Sequence, residues 1–328
     1  MTPVTPNDGP YYDDLHVGYV FPQLPPVTIS EADNLAYRMI TGSEHRPSVD
    51  ATLYQAISGS SGKLVSPGLA LQYSIGQSTS ATRRAIANLF YRGVLLKRQV
   101  EVGERIETTT TVLGLADSSP KGDLNRGKVL LGIESVGDNG PIASYQRCAL
   151  LPARGGPSGH NDDLGSATSE PAPDYVGAVP SGWDLSHLAE TNWEVGEERH
   201  DAMWDHIDMA PALARMTFNQ AMVHRAVAYT AYPTRLVYGG HVIALAEASL
   251  TRLLPGFATL VGWGQCNHTG PAFEGDTLSF RHELTSDVPV DAGRLLTFHT
   301  RGFREIGETL GDTESIEILD WVSVIYHR

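Results

Sequence analysis

The residues of this chain best suited to chemistry are a few histidines, glycines and arginines set beside apolar runs. Tyr238-Gly239-Gly240-His241 stands directly before such a run. Glycines at the start of a helix leave backbone N–H groups, reinforced by the helix dipole, open to a negatively charged oxygen, although the same pair also serves as a plain turn. His224 ends the segment Asn219-Gln220-Ala221-Met222-Val223-His224. Its imidazole can take a proton near neutral pH, and beside an apolar run it reads equally as a hydrogen-bonded structural residue. His268, in Cys266-Asn267-His268, reads equally as a residue near a bound ligand and as a plain loop histidine, and stays outside the catalytic set.

Other chemical signals have plainer explanations. His200, Asp201, Asp205, His206 and Asp208 are metal-ligand types, but the step from 200 to 206 does not put the two histidines on one helical face, so a solvated helix and no metal are expected. Gly59-Ser60-Ser61-Gly62-Lys63 lacks the first glycine and the following Ser or Thr of a phosphate loop and reads as a flexible turn. Arg83-Arg84 has the charge to meet phosphates, as does any surface arginine pair. Cys148 and Cys266 are too few for a disulfide framework and read as small buried apolar side chains in a reducing compartment.

The elements that must position these residues follow from length and pattern. The 328 residues suit two domains of roughly 150 each, with two cores. A net charge of -14 argues against a nucleic-acid partner, because phosphates would be repelled over most of the surface. No apolar run approaches the roughly 20 residues of a membrane helix, and MTPVTPNDGPYYDD has neither a basic region nor an apolar centre, so neither membrane nor export is expected and the location is cytoplasmic.

The composition breaks at 154–185, rich in Gly, Pro, Ser and Asp, which divides the chain into an N-terminal domain 1–153, a linker 154–185 and a C-terminal domain 186–328. The two sides are faintly alike. Leu64-Val65 with Gly68 matches Leu236-Val237 with Gly240, and Gly103 matches Gly275, at a common offset of 240 − 68 = 275 − 103 = 172. Each side is expected to have a first helix (31–42 and 200–222), then a longer apolar helical segment after a glycine (69–90 and 241–256), then alternating β runs. An antiparallel sheet wrapped around one apolar helix is the natural packing of such a half.

Together with RLVYGGHVIALA (235–246), HTGPAFEGDTL (268–278) and LLKRQVEVGERI (95–106), that arrangement resembles the MaoC-like double hot-dog hydratases and dehydratases, nearest to the mesaconyl-CoA hydratase branch. The resemblance implies an α+β fold of two tandem hot-dog domains, each an antiparallel sheet wrapped around a long central helix, packed as a pseudo-dimer. It also implies an acyl-CoA hydratase or dehydratase adding water reversibly to a 2-enoyl-CoA, such as a branched or dicarboxylic one, with no cofactor beyond the substrate's own coenzyme A, and a chain able to form homo-oligomers.

Members of that branch show N-x-A-x-V-H where other hydratases carry an Asp and a His, and Asn219, Ala221, Val223 and His224 fit it. The resemblance makes His224 the catalytic base and Asn219 a positioning residue. Gly240, with Gly239, Tyr238 and His241, would bind substrate, the thioester oxygen resting on a backbone N–H at the helix start. In the first half Ser43 falls opposite Asn219 and Ser48 opposite His224, so that domain is expected to be non-catalytic. The alternatives are a thioesterase, for which Glu247 is the acidic residue on the second long helix, and a non-catalytic acyl-CoA-binding protein.

Overall fold

The computed structural model describes residues 9–165, 173–307 and 314–328; the reading of the first eight residues and of the middle of the linker concerns residues outside that set. The first half contains β1 (Val27–Thr28), α1 (Glu31–Thr41), α2 (Arg46–Val49), α3 (Ala51–Ser58), α4 (Pro67–Gln77), β2 (Ala87–Leu96), β3 (Arg105–Lys121), β4 (Leu124–Gly137) and β5 (Gly140–Pro152). The second contains β6 (Glu198–His200), β7 (Asp205–His206), α5 (Ala210–Met216), α6 (Gly239–Leu253), β8 (Phe257–His268), β9 (Thr277–Val290), β10 (Gly293–Ile306) and β11 (Glu314–His327). None of the described helices is long and apolar enough to cross a membrane.

One antiparallel sheet runs β1-β3-β4-β5-β2-β8-β11-β10-β9-β6, with β7 also on β9. Read outward from the β2–β8 junction, the strand order is the same in both directions, which is the signature of two hot-dog units joined edge to edge. The bridge Leu64↔Glu101 recurs as Leu236↔Phe273, and 236 − 64 = 273 − 101 = 172. The central helices begin at 67 and 239, the same offset again, since 239 − 67 = 172. The duplication read from sequence is therefore a structural one.

Local chemistry fixes several elements. Ser30 caps α1 through the Asp33 N–H while the Asp33 carboxylate takes the Ser30 N–H at 2.7 Å, and Gly42, at φ 67°, turns the chain out of the helix. In β3, Ile106, Thr108, Thr110 and Val112 are buried in alternation, the two-residue period of a strand with one covered face. Both central helices are apolar nearly all round: every residue of α4 is buried, and α6 is buried from Gly240 to Thr251. Removing a leucine such as Leu245 or Leu250 from water contributes roughly 1.5–3 kcal/mol.

The structure changes the sequence reading in three places. The apolar segment after Gly68 is α-helical only to Gln77; Ser78 and Thr79 turn their hydroxyls back onto the Ile75 and Gly76 carbonyls, the chain tightens into a 3-10 turn over Ser78–Thr82, and Ala87 onward is strand. The expected helix 200–222 is reduced to α5, opened by Pro211, because the residues before it pair with β9 at the sheet edge. Two separate cores are replaced by one principal cluster that takes in both halves, from Leu69 and Tyr91 to Leu245 and Trp321. The two long helices meet inside it, where Gln72 Nε2 donates to the Gly240 carbonyl at 2.8 Å. Trp183 and Leu185, at the end of the expected linker, are buried against Tyr54 and Ile57.

Candidate active site

The segment carrying Asn219 and His224 follows α5 through Phe218, whose φ of 60° is rare for a residue with a side chain and costs roughly 1–2 kcal/mol. That reversal drops Asn219 into the interior, 1% exposed. The Asn219 Oδ1 accepts the Ala221 N–H at 2.9 Å, and its backbone carbonyl accepts Arg225 Nε and Nη2. Among the described residues no acceptor takes a hydrogen bond from the side-chain amide nitrogen.

Much of the grip on this segment comes from the first half. Thr79 Oγ1 accepts the Gln220 N–H at 2.8 Å, the Arg83 carbonyl accepts the Met222 N–H at 2.9 Å, and Arg83 Nε donates to Gln220 Oε1 at 2.5 Å. Arg83 is thus engaged with the segment, and Arg84 lies 4.6 Å over the Tyr11 ring.

A cavity of about 250 Å³ opens beside the segment. His224 faces it. Its Nδ1 lies 3.0 Å from the Leu236 carbonyl, which can only accept, so Nδ1 carries the proton and Nε2 keeps a lone pair for the cavity. Burial pushes the imidazole down to about 4, helped by the charges of Arg147 and Arg225, so His224 is neutral at neutral pH. The Tyr238 ring stands 5.7 Å away, tilted against it.

Of the residues expected from sequence, Asn219, His224, Tyr238 and Gly239 line the cavity together; Gly240 and His241 are not among its lining residues. A side chain on Gly240 would strike Gln72 Oε1 at 2.3 Å and the Tyr238 ring, so this glycine permits the close approach of α4 and α6. Gly239, the first residue of α6, is the glycine at the cavity wall, one residue earlier than expected, because each helical step turns the backbone by about 100°. Gly239 has its own reason to lack a side chain: a Cβ there would sit 2.6 Å from the His268 ring.

Of the two readings of His268 the structure supports the ligand-side one: it belongs to the cavity, its Nε2 is buried without a partner, and burial lowers its pKa to about 4, with His224 adding to the effect. Sequence reasoning missed several other lining residues. The first half supplies Thr79, Thr82, Asn88, Tyr91 and Arg147. Both polar side-chain atoms of Asn88 are buried and unpaired. Arg147 had a legible signal: it falls in register with Tyr145 and Ala149 on the inward face of β5, where a guanidinium is out of place.

The counterpart cavity of the first half is lined by Ser43 and Ser48. A histidine is near it, His45, but its Nδ1 meets Ser48 Oγ and its Nε2 the Ala258 carbonyl, both at 3.0 Å, so no ring nitrogen is left for a substrate. Glu247 lies against Gly68 of α4, outside the His224 cavity, and burial raises its pKa to about 8. His200 ends β6 and Asp205–His206 form β7 at the sheet edge: His200 meets Glu198, and Asp201 and Asp205 pair with Arg252.

No family model matches the chain. It is 25% identical over 314 residues to a β-methylmalyl-CoA dehydratase of Chloroflexus aurantiacus, spanning 87% of this chain and 84% of that one. It is also 25% identical over 319 residues to a mesaconyl-CoA hydratase of Cereibacter sphaeroides, spanning 88% of each. Among solved structures, a MaoC domain protein dehydratase of Chloroflexus aurantiacus shares the fold, with a TM-score of 0.83 at 22% identity over 98% of both chains. A conserved hypothetical protein of Mycobacterium tuberculosis with a double hot-dog fold superposes with a TM-score of 0.89 at 34% identity, over 98% of this chain and 99% of that one. With a relative that similar over its whole length, a mirrored eleven-stranded sheet and two buried central helices, the chain belongs to the MaoC-like double hot-dog family of hydratases and dehydratases.

Proposed function

We propose that this protein is a hydro-lyase that adds water reversibly to a 2-enoyl-CoA thioester, with the branched dicarboxylic acyl groups in the names of its two curated relatives as the substrate class. The observation that carries the reading is the orientation of His224: Nδ1–H fixed on the Leu236 carbonyl, Nε2 bare, in a cavity lined also by Gly239 at the start of α6.

In the hydration direction, His224 Nε2 takes a proton from water as the water oxygen bonds to the β-carbon. The π electrons move onto the thioester oxygen, where the Gly239 N–H and the dipole of α6 stabilise the charge. The enolate then collapses, and the α-carbon takes a proton from the His224 imidazolium. The Asn219 amide nitrogen, with its oxygen held by Ala221, can only donate to the water or hydroxyl and so positions it. Because one group both removes and returns the proton, hydrogen and hydroxyl add to the same face of the double bond.

The reaction needs no reactant besides water and the thioester, so we assign no cofactor. We also assign a cytoplasmic location, which suits two buried unpaired thiols, and a chain able to self-associate, which sizing of the purified protein checks. Replacing His224 by Ala should lower kcat by about 10³-fold or more while the far-ultraviolet dichroism stays that of the parent. Hydration continuing at the parent rate would sink the assignment.

A further inference from the structure

In the cavity wall that the first half supplies, Arg147 is 2% exposed. Its Nη2 donates to Thr82 Oγ1, its Nε is buried with no acceptor, and among the described residues no carboxylate forms an ion pair with it. A buried guanidinium without a counter-charge is costly. The ligand is the remaining source of a counter-charge, since the residue lines the cavity.

The sheet register locates it. Arg147 pairs with Tyr91, Tyr91 with Cys266, and Cys266 with Trp321, one row across β5, β2, β8 and β11. The pseudo-twofold carries Tyr91 to Trp263, since 91 + 172 = 263, and the row Arg147–Tyr91 to Ser323–Trp263, so the counterpart of Arg147 in the other half is Ser323, a buried neutral side chain. The cation is present only once, and it lines the cavity that has His224.

It is also set apart from the thioester end of that cavity. His268 rests against Gly239, Tyr91 meets His268 edge-on at 6.0 Å, and Arg147 lies beyond Tyr91. From the strand of His268 to that of Arg147 is two strand spacings, roughly 10 Å. An arginine reaching back across that gap meets the far end of a short acyl chain whose thioester oxygen sits at Gly239.

We propose that Arg147, from the half without the catalytic histidine, is the specificity residue of the site and binds a carboxylate at the distal end of the acyl group. This rests on the hydro-lyase reading above and assigns a residue to its substrate class. The guanidinium fork, braced by Thr82, selects short dicarboxylic monothioesters over neutral acyl chains of equal length.

The test compares the full chain with Arg147→Gln and Arg147→Lys on two enoyl-CoAs of matched length, one ending in a carboxylate and one in a methyl group. The parent should prefer the carboxylate substrate, and in Arg147→Gln the ratio of the two kcat/KM values should fall by roughly 100-fold, mostly through KM, with the lysine variant between. Arg147→Gln should melt no lower than the parent, since it removes an uncompensated buried charge. A parent that prefers the neutral chain, or equal losses on both substrates, would overturn the assignment in favour of the thioester oxygen or the scaffold.

If the parent hydrates neither substrate, the hydro-lyase reading fails and calorimetric binding of the same two thioesters decides the role of Arg147. Tighter binding of the carboxylate form by the parent, lost in Arg147→Gln, supports it; indifference to the substitution overturns it.

Discussion

His224 is neutral because its surroundings refuse the charge. Burial and two neighbouring arginines hold the imidazole near 4, against an ordinary value of 6.5, so it is fully in its base form at neutral pH. A base so depressed is weaker, and the compensation is that its proton acceptor never has to be freed by titration. The acid limb of kcat/KM should therefore lie near pH 4, about two units below that of an ordinary histidine; a limb at 6.5 in initial-rate profiles would mean that the active base is another group. The histidine was legible in sequence only through its segment, since nothing in its own residue type separates it from His45, His241 or His268. Those three have similarly depressed pKa values, and the hydrogen-bond partners of each ring decide its role.

At the scale of elements, the segment from Asn219 to His224 rests on the end of α4. A Cβ on Gly76 would fall 1.8 Å from the Thr217 carbonyl oxygen and 2.7 Å from its carbon, and backbone cannot swing aside as a side chain can. Gly76→Ala should therefore displace residues 217–224, lower stability by roughly 2 kcal/mol and cost more in kcat than in melting temperature, as read from initial rates and calorimetry together. An alanine that leaves both unchanged would mean that α4 is not the seat of the segment. Helix α1 was legible because its cap box and glycine stop are local; the residues after 200 were not, because pairing with β9 at the sheet edge outweighs any helical pattern in the segment itself.

For the whole molecule, pH acts on folding through buried imidazoles. His45, His224, His241 and His268 are each held at about 4 and His282 at about 3 by burial. The unfolded chain binds protons to them near 6.5, so their contribution is complete above that pH and is lost as pH falls toward 4. Glu247, raised to about 8, acts oppositely: its contribution is lost as pH rises from 4.5 through 8. Five groups outweigh one, and the melting temperature should drop by on the order of 10 °C between pH 7 and pH 5. A flat profile in scanning calorimetry would show that these rings are hydrated.

By itself the sequence determined what depends on neighbours along the chain: the alternating strands, the apolar helices, the caps, the duplication at a fixed offset, and the segment from Asn219 to His224. The tertiary structure decided what depends on residues far apart. The β2–β8 junction merges two expected cores into one and brings Thr79, Thr82 and Arg147 of one half to the His224 of the other. It also turns Gly240 toward α4 and leaves Gly239 at the cavity. These placements follow from strand register and helix rotation, which no local pattern encodes, and so the half read as non-catalytic supplies much of the wall of the His224 cavity.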